Sequence, residues 1–325
     1  MHFVRDHHGI FVPQYCDVGI PEASVGLSGH ITVELIDAQT KIVKKKLEFH
    51  NLITNAGMDS VVNKSFFTNG GGTQYCGVGT GSTPPANTDT TLVAEKEVRA
   101  VQSGFSNSNI SYVAGPPDYY EDFITYTFTE TQVNGNLTEV GFFDLNAAGT
   151  MFSRQLFKDD LGTPTTITKT NSDQLRITYK VRIYPPLADV VSSGVDISGT
   201  SYNVTVRPIR VGTSEWNNLF SSAFVTVLNN QVNAYSGALP TRTSSTFPTG
   251  ILSTASTFNV DGYVSGNFFL TSSPKWEPAV GNGNIQMIGF RNSLLIFGVG
   301  FSPTIPKTNT KRLTLNVKFS WARHV

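Results

Sequence analysis

Asn134-Gly135-Asn136-Leu137, followed closely by Val140-Gly141-Phe142, returns in the second half of the chain as Asn282-Gly283-Asn284-Ile285 followed by Ile288-Gly289-Phe290. Further on, Pro164-Thr165-Thr166-Ile167-Thr168-Lys169-Thr170-Asn171 has Leu175, Ile177 and Tyr179 behind it. It is echoed by Pro303-Thr304-Ile305-Pro306-Lys307-Thr308-Asn309 with Leu313, Leu315 and Val317. Lys180 and Lys318 hold the same place in both copies, and Ile31-Thr32-Val33 has a weaker partner in Val204-Thr205-Val206. The matches keep both their order and the period-2 phase of each strand. Coincidence would not preserve phase as well as letters, so the pattern predicts an internal duplication. Two copies are too few for a solenoid. The expected fold is all-β, with two tandem, related antiparallel β-sandwich-like domains and at most one or two short helices.

Working outward from these repeats, alternating apolar and polar residues predict strands over 31–37, 41–49, 75–78, 122–131, 137–144, 151–157 and 175–184. The segment 51–62, Asn-Leu-Ile-Thr-Asn-Ala-Gly-Met-Asp-Ser-Val-Val, has apolar spacing that suits one short helix. Residues 69–91 are dense in Gly and Pro and read as a surface loop around one short strand. After Pro185-Pro186 the composition turns to Ser, Gly and Val. The expected organisation is therefore an N-terminal arm over 1–25, a first domain over 26–187 and a second over 188–325.

The bulk chemistry narrows the function. Charged residues are only 15% of the 325, against roughly 25% in an average soluble protein. Lys plus Arg equals Asp plus Glu at 24 each, so no global charge steers the chain to nucleic acid or to an anionic membrane. The one basic run, Lys44-Lys45-Lys46, reads as a solvated strand edge protected from stray pairing. Two cysteines, Cys16 and Cys76, without a CxxC motif argue against a disulfide framework or a structural zinc site, and no metal or cofactor is expected. The first residues carry charge and His and lack the apolar run of a signal peptide, and no stretch approaches the eighteen or so apolar residues of a membrane span. The expectation is synthesis in the cytoplasm and no membrane insertion.

Several residue sets form a recurrent pattern: 51–58, the loop Gly77-Val78-Gly79-Thr80-Gly81, 136–144, Met151-Phe152-Ser153-Arg154, and 164–171 with the strand that follows. With these, about 130 residues of the first domain resemble a module found in structural proteins of tailed bacteriophages, associated with tails, tail fibres and related appendages. The resemblance brings no catalytic residue with it. It implies a non-enzymatic virion component of the tail, collar, fibre or baseplate, assembled with copies of itself and with other virion proteins.

Against that background a few segments stand out as candidate sites. The Gly77–Gly81 loop lacks the Lys and the helix of a phosphate cradle, since Ser82-Thr83-Pro84-Pro85 follows it. Asp118-Tyr119-Tyr120-Glu121-Asp122 pairs carboxylates with aromatic faces, as a glycosidase or sugar platform would. The alternative readings are accordingly host-surface polysaccharide binding through Tyr119, Tyr120 and Trp276, aided by Trp216 and Tyr235, and polysaccharide cleavage by the acids. His2, Asp6, His7 and His8 crowd a terminus, where Phe3, Val4, Ile10, Phe11 and Val12 read instead as a partner-contact arm outside the duplicated core. Glu139 and Arg154 read as paired or exposed strand residues, neither an acid nor a base.

Overall fold

The computed structural model describes residues 16–19, 22–68, 70–104, 110–197, 199–214, 216, 220–228, 231–246, 248–291 and 296–324. In chain order the elements of the first half are β1 (Cys16–Gly19), β2 (Ala23–Asp37), β3 (Val43–His50), β4 (Leu52–Ile53), α1 (Asn55–Ser60), β5 (Tyr75–Gly79), β6 (Ala100–Val101), β7 (Ser111–Val113), β8 (Tyr119–Phe128), β9 (Gly135–Leu137), β10 (Glu139–Phe143), β11 (Met151–Leu156), β12 (Ile167–Lys169) and β13 (Asp173–Tyr184). The second half adds β14 (Val190–Ile197), β15 (Thr200–Pro208), α2 (Val225–Leu228), β16 (Gln231–Tyr235), β17 (Ile251–Thr254), β18 (Phe269–Ser272), β19 (Lys275–Trp276), β20 (Gly283–Arg291), β21 (Ile296–Lys307) and β22 (Leu313–Arg323). The protein is all-β with antiparallel sheets of the sandwich class.

The chain divides into two compact units. One comprises Gly26–Tyr184 with Phe220–Phe224 and Ala322–Val325; the other comprises Pro185–Leu219 and Val225–Trp321 with the described residues before Gly26. The division is thus not purely tandem, because two short later segments belong with the first unit. Aromatic packing explains the former, since the Phe220 ring stacks on Phe67 at 6.0 Å and Phe224 meets Phe66 at 6.1 Å. The latter is held by Arg323, whose Nε donates to Ile53 O at 2.6 Å, and by His324, whose ring stacks on Tyr184 at 3.7 Å. A second departure concerns the expected arm. Cys16–Gly19 form a strand paired in parallel with Leu313–Asn316 of the second unit, so at least this part of it has a place in the chain's own fold.

In the first unit one sheet carries β3-β2-β13-β8-β7 and a second carries β4-β11-β10-β5-β6. Their inner faces meet where Phe142 of β10 stacks on Tyr179 of β13, ring centroids 4.0 Å apart, with Tyr126 of β8 and Phe152 of β11 at 5.4 and 6.4 Å from these rings. Strand β2 begins eight residues earlier than the alternation over 31–37 predicts, at Ala23 instead of Ile31. Its added stretch is rich in Gly and Ser, which weakens the strand signal, but full pairing with β13 from Gly26 to Asp37 extends it. Gly29 is required there, because a Cβ would meet the Tyr179 hydroxyl at 2.5 Å and overlap Asn51 Oδ1. Helix α1 is short and capped by Thr54, whose Oγ1 accepts from Gly57 N–H at 2.9 Å. In the second unit the sheet β14-β15-β21-β20-β16-β17 contacts β22 through Phe297 and Phe319, 6.1 Å apart.

The two repeated motifs come together in the same way in each unit. Gly135 pairs with Lys169 and Leu137 with Ile167; Gly283 pairs with Lys307 and Ile285 with Ile305. Both glycines have positive φ, +119° and +140°, a region that costs a side chain strain. Both lysines are buried, and each donates to three oxygens. Lys169 Nζ reaches Glu130 O at 3.1 Å, Asn134 Oδ1 at 2.8 Å and Thr170 O at 3.4 Å. Lys307 Nζ reaches Glu277 O at 2.8 Å, Pro278 O at 3.3 Å and Asn282 Oδ1 at 3.2 Å. Burial lowers the pKa of each lysine, and nearby carboxylates offset part of that shift. Replacing Lys169 or Lys307 by Met should cost about 1–3 kcal/mol, the penalty of leaving buried oxygens unpaired, and the two losses should be alike. Urea unfolding of K169M and K307M measures this. A variant as stable as the parent would mean that the ammonium does not hold its turn.

Candidate functional site

The most highly connected polar centre lies on one face of the first unit's smaller sheet. Across that face Glu139 stands opposite Gly79, and Gly141 stands between Gly77 on β5 and Arg154 on β11. Three glycines in register leave a flat floor, and the chain from Thr80 to Arg99 returns over it. A Cβ on Gly79 would approach Ala94 O to 2.5 Å and Glu139 Oε1 to 2.6 Å, while one on Gly81 would overlap the Glu139 carboxylate. The glycines that invited comparison with a phosphate loop are therefore required by the close approach of protein atoms.

Glu139 is fully buried, and its oxygens accept from Gly81 N at 3.0 Å, Ala94 N at 2.8 Å, Val93 N at 3.2 Å and Arg154 Nε at 2.9 Å. Arg154, 1% exposed, also donates from Nη1 to Asp89 Oδ2 at 2.6 Å and from Nη2 to Thr83 O at 2.8 Å. Asp89 accepts in addition from Ala86 N at 2.9 Å. The pair is thus both buried and saturated with partners, the condition under which a desolvated ion pair is tolerated. Its donors and acceptors all point at the returning chain. Chemically this arrangement fixes a long loop; it offers no lone pair to a substrate. Replacing Arg154 by Met should cost about 3–5 kcal/mol, as expected for removing one partner of a buried ion pair, and should open 80–95 to limited proteolysis. A loss below about 1 kcal/mol in urea unfolding would show that the pair is not the anchor.

The acidic and aromatic segment of β8 obeys strand alternation, which separates its members. Tyr120 and Asp122 face the core, whereas Tyr119 and Glu121 face outward. Glu121 and Asp122 therefore cannot flank one glycosidic bond. Asp118, also buried, accepts from Tyr112 Oη at 3.0 Å and Gly115 N at 3.1 Å. Glu121 accepts from Lys180 at 3.0 Å and Arg182 at 2.6 Å; burial opposes its ionisation, but these bonds outweigh burial and hold its pKa below the ordinary value. Tyr119 is half-buried under the Arg182 guanidinium, 4.5 Å from its ring. Tyr120 is in the core, and so are Trp276, Trp216 and Tyr235 of the second unit, so these four rings present no platform to a sugar. Sequence reasoning left open whether such aromatics were exposed, because a lone aromatic suits a core and a binding surface equally.

Lys44 is bound to Asp37 at 2.8 Å and Asp173 at 2.7 Å, Lys45 donates to Thr166 O at 2.9 Å, and Lys46 pairs with Glu48 at 2.6 Å, so the basic run is used within its own unit. Phe3, Val4, Ile10, Phe11 and Val12, with His2, Asp6, His7 and His8, lie outside the described residues. Among the described residues no group of three or more His, Cys, Asp or Glu is arranged to hold a metal. No helix among them is long and apolar enough to cross a membrane.

The sequence reading placed Asp122 among the candidate acids of 118–122, but the structure puts it in the core. It is fully buried, and its Oδ1 accepts from Phe123 N at 2.7 Å while Oδ2 has no partner. Burial raises its pKa to about 7, with a smaller contribution from Glu121. In the unfolded chain an aspartate titrates near 3.9. A raised folded value means the folded state keeps a proton that the unfolded state has lost, so the stability present below about pH 4 is lost as pH rises toward about 7. Asp122→Asn should therefore match the parent at pH 4 and exceed it at pH 8 by a few kcal/mol, since each tenfold change in proton affinity is worth about 1.4 kcal/mol. Equal stability gaps at the two pH values would show that this carboxyl does not titrate in the core. In comparisons with known proteins, no family model, no curated protein and no solved structure matches the chain.

Proposed function

We propose that this chain is a non-enzymatic structural component of a tailed-bacteriophage virion, belonging to the tail, collar, fibre or baseplate apparatus, and that it assembles into a symmetric oligomer with other virion proteins as neighbours. The observation that carries the reading is where the residues behind the resemblance are used. Thr54 caps α1 and donates to Met151 O at 2.6 Å, while its own N–H bonds Phe152 O at 3.0 Å. Gly57 admits the Phe152 carbonyl, with which a Cβ would overlap. Glu139, paired with Arg154, holds Gly81 at the end of the Gly77–Gly81 segment, Thr138 O accepts from Phe157 N at 2.8 Å, and Lys169 closes on Asn134. Residues scattered over more than a hundred positions thus bond one another and form a single framework. A pattern used in this way specifies a rigid building block, and it is repeated in part in the second unit. Low charge and a duplicated sandwich suit such a block as well.

The test is direct. Purified particles should contain the polypeptide in multiple copies by quantitative mass spectrometry, and the isolated protein should have the mass of a closed oligomer or of a subunit that becomes one in the particle. Finding it in infected-cell lysate and never in virions would overturn the proposal.

A further inference from the structure

His30 and His50 are direct cross-strand partners on β2 and β3. Their imidazole rings lie 3.7 Å apart, centroid to centroid, on the outward face of the first unit's larger sheet. On the next strand Lys180 stands opposite His30, and Arg182 follows one pleat along on the same face. The carboxylate that β8 presents to them, Glu121, is already bound to both Lys180 and Arg182. On β3 itself Glu48 is held by Lys46 at 2.6 Å. Lys158, from the chain after β11, adds positive charge toward His50. The two rings thus meet at a tilt among cations, and the anions near them are committed elsewhere. His30 Nε2 is buried without a partner, so a proton there finds no acceptor.

We propose that the His30–His50 pair is an acid-operated latch on edge strand β3. With both rings neutral they pack in close contact, and β3 stays paired to β2. With protons on them, two like charges in ring-to-ring contact, beside Arg182 and Lys180, drive β3 off its neighbour. Strand β3 lies at a sheet edge, and beyond β2 its ties are polar ones, from Lys44 to Asp173, from Lys45 to Thr166 O and from Gln155 to His50 O. Among the described residues it pairs only with β2, and it buries Leu47 and Phe49 while most of its other side chains face solvent. Its release uncovers the β2 backbone from His30 to Ile36, a row of donors and acceptors able to take a strand from another chain. The latch does not rest on the virion reading.

The titration runs in the matching direction. Burial first, then Arg182 and His50, lowers the His30 pKa to about 4, and His50 is lowered by burial, Arg182 and Lys158. A released histidine titrates near 6.5. The open strand therefore binds more protons between about 6.5 and about 4, and opening gains as pH falls through that window. This is opposite in sign to the effect of Asp122, which is a core group on the other face, so the two are separable.

Native-state hydrogen exchange on the full chain tests the latch, comparing amides of β3 with those of β13 at pH 7 and pH 4.5 after correction for intrinsic rates. Strand β3 should gain on β13 by about tenfold or more, as a tenfold difference in proton affinity between closed and open strand requires, and the gain should vanish in the His30→Gln/His50→Gln double variant. A gain that persists in the double variant, or no gain in the parent, overturns the proposal. His50 is exposed, so His50→Gln alone gives a folded control, and an unchanged gain there overturns it equally.

Discussion

A guanidinium withdrawn from water has to find partners for its N–H groups, and each nitrogen of Arg154 finds one, in Glu139, Asp89 and Thr83 O. Desolvation of that side chain is the constraint around which the first unit is organised. It can be met only if β10 and β11 lie side by side, if glycines on β5 and β10 leave the floor open, and if the chain from Thr80 to Ala94 comes back to supply backbone N–H groups to Glu139. Each requirement explains a residue choice that is otherwise obscure. Gly77, Gly79, Gly81 and Gly141 are there because a side chain would occupy the space of the ion pair or of the loop it holds.

The lysine cages apply the same logic at a turn. In each unit a buried ammonium spends its three hydrogens on two main-chain carbonyls and one Asn side chain, beside a glycine of positive φ. Equivalent bonds in equivalent register are stronger evidence of common construction than shared letters are, because hydrogen-bond geometry tolerates less drift. The neighbouring acceptors do differ: the first cage uses Glu130 O and Thr170 O, the second Glu277 O and Pro278 O. What the two cages share is the partnership of Asn134 with Lys169 and of Asn282 with Lys307.

The two faces of the first unit's larger sheet hold opposite acid–base tendencies. Asp122 on the core face favours its proton, whereas His30 and His50 on the outer face resist theirs. Burial drives both, since it disfavours whichever form is charged. Strand alternation keeps them apart, so acidification relieves the core while it loads the edge.

Much of the architecture was legible in the sequence. Period-2 alternation located the main strands of the first half, the apolar spacing over 51–62 marked the one short helix there, and the repeated Asn-Gly-Asn and Lys-Thr-Asn motifs fall one pair in each of the two units. These are local signals, carried by residues close together in the chain. Whether Glu139, Arg154, Tyr120 or Trp276 would be buried was not legible, because burial of such groups depends on what arrives from elsewhere. Arg154 meets Asp89 and Thr83 across 65 and 71 positions, and Phe66 meets Phe220 and Phe224 across still more. The sequence by itself determined which segments become strands and which residues share a face. Only the tertiary structure decided which face is covered and which polar groups find partners there, since desolvation is set by contacts that no local pattern encodes.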